Sequence, residues 1–103
     1  MAETVDELTV DYMDDGKLVS KQLDKVVLSK GAWSTILYKY QDWDRKNEVF
    51  GKVKFSIRRY QKRNGQYMQK SKFNISSIDQ AKNLIGTLQE WIDQEDAAAT
   101  GQD

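Results

Sequence analysis

The chain contains neither cysteine nor histidine. Disulfides, thiolate metal sites and thiol nucleophiles are therefore excluded. The missing imidazole also removes the commonest general base and the commonest transition-metal ligand. There is no proline either, so nothing forces a break in a strand ladder. No apolar run approaches the roughly eighteen residues of a membrane span, and no apolar leader opens the sequence. The glycines stand singly, in no phosphate-cradling loop or dinucleotide fingerprint. Asp42, Asp44 and Glu48 lack the spacing of a calcium loop. These absences point away from an enzyme, a bound cofactor and a metal protein. They leave a single intracellular domain, expected in the cytoplasm (nucleoid-associated) or the nucleus.

The 103 residues hold 16 basic and 16 acidic side chains, a net charge of zero that hides strong sorting. Residues 1–16 carry six acids and no cation, for −6. Residues 17–75 carry fifteen cations against Asp24, Asp42, Asp44 and Glu48, for +11. Residues 76–103 carry Lys82 against six acids, for −5. A basic middle interleaved with aromatic rings is the electrostatic footprint of a polyanion binder, most often of nucleic acid. The plainer alternative is a mixed-charge domain whose strand lysines only guard exposed edges.

Runs rich in Val, Ile, Thr, Tyr, Phe and Trp, punctuated by Gly16, Gly31, Gly51 and Gly65, predict strands at about 19–29, 33–43, 49–61 and 66–75. Asn64-Gly65 supplies the positive φ angles of a tight hairpin turn. Residues 5–13 are either a further strand, turned at Asp15-Gly16, or an acidic tail. Alternation puts Val53, Phe55 and Ile57 on one face of the third strand and Lys54, Ser56, Arg58 and Tyr60 on the other. After Ile75 the period lengthens: Ile78, Ala81, Leu84, Ile85, Leu88, Trp91 and Ile92 mark an amphipathic helix, and Ser77 with Gln80 forms a capping box. Gly86 in the helix interior suggests a close packing contact. Trp33 and Trp91 are expected in the core.

The expected architecture is α+β: a four-stranded, curved antiparallel sheet with one C-terminal helix laid on its apolar face. Residues 1–16 form an acidic segment, 17–95 the binding domain and 96–103 a disordered acidic tail. The helix covers only part of such a sheet, so a homodimer is expected.

The stretch Gly51-Lys52-Val53-Lys54-Phe55-Ser56-Ile57-Arg58-Arg59-Tyr60 resembles the transcriptional coactivator PC4 family, whose corresponding strand reads Gly-Lys-Val, two residues, an acid, then Ile-Arg-x-Tyr. The turn at Gly65, the strand Lys70-Ser71-Lys72-Phe73-Asn74-Ile75 and the helix follow in the same order, so the resemblance spans residues 25–92. Whirly and PUR-repeat domains share this plan. The resemblance implies single-stranded DNA binding by a homodimer, with Lys52, Lys54, Arg58 and Lys72 at backbone-contacting positions. Two departures are plain: Gln61 stands where the family has a stacking Trp, and Phe73 where it has Gly.

Single-strand binding requires cations that follow a flexible backbone and rings on which bases stack, each stack contributing about 1–3 kcal/mol. The candidate contact residues are Lys39, Tyr40, Trp43, Lys52, Lys54, Arg58, Tyr60, Lys62, Lys70 and Lys72. The acidic ends are expected to compete weakly for the same basic face. An RNA ligand, or an acidic protein docked on the basic face, are the alternatives.

Overall fold

The computed structural model describes residues 3–100. It contains a curled antiparallel sheet followed by one helix: β1 (Tyr12–Asp14), β2 (Lys17–Ser29), β3 (Trp33–Asp44), β4 (Val49–Phe50), β5 (Lys54–Arg63), β6 (Gln66–Ile75) and α1 (Ile78–Thr100). The sheet order is β1-β2-β3-β5-β6, with β4 paired to the end of β3. Strand neighbours are thus neighbours in sequence, apart from the β4 break, which suits a chain turned by short hairpins.

The sheet has more strands than the four expected. Asp15-Gly16 and Asn64-Gly65 both turn with positive φ at each residue (54° and 76°, 53° and 78°), and the first of these turns pairs β1 with β2. The expected third strand divides at Gly51–Val53, where the Gly51 N–H donates to the Asp42 carbonyl at 2.8 Å. Bulges place an extra residue at Leu23 and Leu28 in β2 and at Lys70 in β6. They bend the strands and curl the sheet.

The cross-strand register fixes two faces. One carries Gln22, Lys25 and Val27 of β2, then Ser34, Ile36, Tyr38 and Tyr40 of β3. It continues with Lys54, Ser56, Arg58 and Tyr60 of β5 and with Asn74, Lys72, Gln69 and Tyr67 of β6. We call this the tyrosine face. The opposite, helix face carries Val26, Leu37, Phe55, Ile57, Phe73 and Ile75.

The core lies on the face expected to meet ligand. Residues 5–10 fold back over it through a 3-10 turn (Val5–Glu7), and Val5, Leu8 and Val10 join Ile36, Tyr38, Tyr40, Tyr60 and Tyr67 in one buried cluster. The first segment is therefore neither a long strand nor a tail, but a covering strap that leads into the short strand β1.

The helix begins where the capping box places it. The Gln80 N–H donates to Ser77 Oγ at 3.1 Å, and the Gln80 side chain accepts from the Ser76 N–H at 3.1 Å. It continues through 96–100, past the expected start of a tail, and residues 101–103 lie outside the described residues. Its first turns set Ala81, Leu84 and Ile85 beside Leu37, Phe55, Ile57 and Ile75. Farther along, Thr87, Leu88 and Trp91 line an open hollow with Phe73 of β6, and the molecule measures 62 Å along its longest axis. Trp91 is 59% exposed, and Trp33 is 43% exposed beneath the Arg59 guanidinium, so neither is a core residue. No side chain or backbone atom approaches the position of a Cβ at Gly86, so no close contact accounts for it. No helix among the described residues is long and apolar enough to cross a membrane.

Candidate nucleic-acid interface

Arg58 and Lys62 of β5 and Lys72 of β6 lie on the part of the tyrosine face that the strap leaves open. Arg58 and Lys72 are directly opposed across the two strands. Arg58 is half-buried and held in place: Nε donates to Ser56 Oγ at 3.2 Å and Nη1 to Gln69 Oε1 at 3.2 Å, while its guanidinium carbon lies 5.9 Å from the centre of the Tyr38 ring. Ser56 Oγ in turn donates to Asn74 Oδ1 at 2.7 Å. The Arg58 fork is thus oriented by neutral partners and keeps its charge unspent.

Among the described residues the ion pairs are Arg45–Asp14 at 3.3 Å and Lys54–Asp42 at 3.2 Å. Among these residues Arg58 and Lys72 have no carboxylate partner. Like charges directly opposed across strands are destabilising, and an anion seated between them reverses the sign of that contribution. Lys62 extends the row, with its ammonium 5.4 Å over the Tyr67 ring. Lys54 belongs to the same face, but Asp42 already neutralises it.

The remaining candidates are dispersed. Tyr40 and Tyr60 are 7% and 4% exposed, and the Tyr60 hydroxyl shares a 3.0 Å hydrogen bond with that of Tyr38. With the strap in place neither ring is open to a base. Alternation along β5 placed Tyr60 on the basic face; what it could not reveal is the strap above. Lys39 is exposed on the helix face, opposite Asp24 and Phe55. Trp43 also lies on that face, with the Lys17 ammonium 3.7 Å over its ring and Phe50 edge-on at 5.2 Å. Lys52 is exposed in the break between β4 and β5, and Lys70 is the extra residue of the β6 bulge. The Asp44 carboxylate caps its own turn through the N–H groups of Lys46 and Asn47 and the Asn47 side-chain amide, and these bonds hold its pKa below the ordinary value.

Two residues of β2 absent from the candidate set hold the strap. The Lys25 ammonium donates to the carbonyls of Val5 and, at 2.7 Å, of Leu8. Burial lowers its pKa, against the pull of Asp6. Gln22 Oε1 accepts from the Thr9 hydroxyl at 2.7 Å and from the Val10 N–H at 3.3 Å. The signal for this contact is the spacing of Val5, Leu8 and Val10 within an otherwise acidic stretch. Comparison of the chain with protein-family models, curated proteins and solved structures gives no match, so the interface is defined by its own geometry.

Proposed function

We propose that the chain is a PC4-like binder of single-stranded nucleic acid, DNA in the first instance, with little sequence preference. The observation that carries this reading is the opposed pair Arg58 and Lys72, two cations on one face with no carboxylate partner among the described residues, one of them pre-oriented by Ser56 and Gln69. Phosphates spaced along a flexible strand suit such a row better than a compact anion does, because Lys62 prolongs it along β5. The +11 balance of residues 17–75 adds long-range attraction. Nothing in the row selects a base, which is consistent with weak sequence preference. Transcription, replication and repair all supply such strands.

The test is fluorescence quenching by a thymidine oligonucleotide over a salt series, with a duplex of equal length as control. Preference for the single strand, with log K falling by about 0.7 per phosphate neutralised for each unit of log salt, is expected. Equal affinity for duplex, or no binding at low salt, overturns the reading. A uridine oligonucleotide bound more tightly than the thymidine one moves the ligand to RNA. One observation favours a second reading, an acidic protein partner: the chain already holds an acidic peptide, its own strap, on this face. Poly-glutamate competing as well as the oligonucleotide would select it.

We further propose a homodimer. The helix stripe of Ile85, Leu88, Trp91 and Ile92 is between 46% and 66% exposed, and it adjoins a wholly apolar hollow between helix and sheet. A second copy presents the same stripe in reverse, which an isologous interface requires. Light scattering is expected to give twice the chain mass of 12.0 kDa, and Trp91→Glu to return it to the single value.

A further inference from the structure

The cover on the tyrosine face is attached unlike any other part of the fold. Residues 3–11 join no strand ladder; among the described residues their backbone–backbone bonds are confined to the 3-10 turn, from the Glu7 N–H to the Thr4 carbonyl at 3.2 Å and from the Leu8 N–H to the Val5 carbonyl at 3.3 Å. The remaining ties to the sheet go to β2: the Lys25 ammonium, the Gln22 side chain, and the Gln22 N–H, which donates to Asp11 Oδ1 at 2.6 Å. Burial of Val5, Leu8 and Val10 supplies the rest. Three small apolar side chains set against the fixed backbone of eight residues leave the closed position only weakly preferred.

What the strap covers directly adjoins the open cationic row. Ile36, under the strap, is the cross-strand neighbour of Arg58, and Tyr38 lies beneath the Arg58 guanidinium. We infer that residues 4–11 are a displaceable strap, and that Tyr38, Tyr40 and Tyr60 beneath it form a cryptic stacking floor for the bases of a strand whose phosphates lie on Arg58 and Lys72. This rests on the single-strand reading above. Asp6, Glu7 and Asp11 give the strap the same sign of charge as a strand lying on that row, so binding of the strand disfavours the closed strap. As it leaves, the Lys25 ammonium exchanges the carbonyls of Val5 and Leu8 for the incoming strand, so opening adds a cation as well as rings. The acidic segment and the ligand are then alternatives on one surface.

Two variants of the full chain test the inference. Leu8→Ser with Val10→Ser releases the strap. Thr9→Cys with Gln22→Cys, joined by a short bis-alkylating linker, locks it; the chain has no other thiol, and the two side chains already meet at 2.7 Å. The released form is expected to keep the slow-exchanging amides of β3 and β5 and to bind the thymidine oligonucleotide about tenfold tighter, as when roughly a tenth of the native chains stand open. The locked form is expected to bind about tenfold more weakly than its unlinked control. In the native chain, oligonucleotide should speed hydrogen exchange at residues 4–11. Native binding with residues 4–11 still protected, or equal affinity in all forms, overturns the strap and leaves the single-strand reading intact. Absence of binding by every form removes both. Should the serine variant unfold, the locked form decides alone, and unchanged affinity overturns the inference. A released form that binds poly-glutamate in place of oligonucleotide assigns the floor to protein instead.

Discussion

Arg58→Ala combined with Lys72→Ala lowers affinity for a thymidine oligonucleotide by about ten- to a hundredfold at low salt and reduces the salt slope by about 1.4, two phosphates at roughly 0.7 each. The two cations face one another across β5 and β6 without a carboxylate partner among the described residues, so their removal subtracts ligand contacts without orphaning an internal charge. Stability is expected to hold or to rise slightly, since an unfavourable like-charge pair is lost. Lys39→Ala is the control: it removes one charge, half as much, from the helix face and should leave the slope nearly unchanged rather than lower it by half as much. Equal effects per charge from the two experiments would reduce the interface to net charge and discard the geometry. Arg58→Lys separates the roles further, because a lysine keeps the charge but not the fork that Ser56 and Gln69 orient.

Tyr38→Ala is expected to destabilise the fold by about 3–5 kcal/mol, a large fraction of the roughly 5–15 kcal/mol that a small domain has in total. Tyr38 is 0% exposed at the centre of the cluster, its ring beneath Arg58 and its hydroxyl bonded to that of Tyr60. Tyr38→Phe keeps the ring but leaves the buried Tyr60 hydroxyl without that partner, costing about 1–3 kcal/mol. Urea unfolding gives the order: native, then phenylalanine, then alanine. An alanine variant losing under about 1 kcal/mol would show that the core lies elsewhere. The same residues set the alkaline limit. Burial first, then the Tyr60 hydroxyl, raises the pKa of Tyr38 far above its ordinary 10.0, and burial, with Asp42 adding to it, raises that of Tyr40. The native state then keeps protons that the unfolded chain releases. The stabilisation is complete below pH 10 and declines as pH rises toward the raised native values, by about 1.4 kcal/mol per pH unit for each tyrosine. Urea midpoints measured from pH 9 to 11 should show that fall, and a flat profile would contradict the burial of these hydroxyls.

Local chemistry was the most legible part of the sequence. Asn64-Gly65, Asp15-Gly16 and the Ser77–Gln80 box each act within four residues, and each is found where the chain places it. Strand alternation was sound along β5, where Lys54, Ser56, Arg58 and Tyr60 do share a face. It failed along β6, where the bulge at Lys70 puts Tyr67 on the tyrosine face although its spacing groups it with Phe73 and Ile75. What alternation cannot supply is the answer to which face is buried, because that depends on a segment distant in sequence. Val5, Leu8 and Val10 turned the aromatic half of the expected binding surface into the core, and Trp91, read as core by its period, stands exposed on a helix whose first turns make the apolar contact with the sheet. The expected contact set separated for the same reason. Trp43 and Lys39 share a parity opposite to that of Arg58, and spacing alone did not bring the break at Gly51–Val53 into view.

The strap also imposes an order of events. Residues 4–11 leave the ribosome ahead of every residue they rest on, and their floor is not complete until β3 and β5 have paired. Hairpins close in microseconds, far faster than residues are added to a nascent chain. The cover is thus made before the strands beneath it, yet it has nowhere to settle until they have paired.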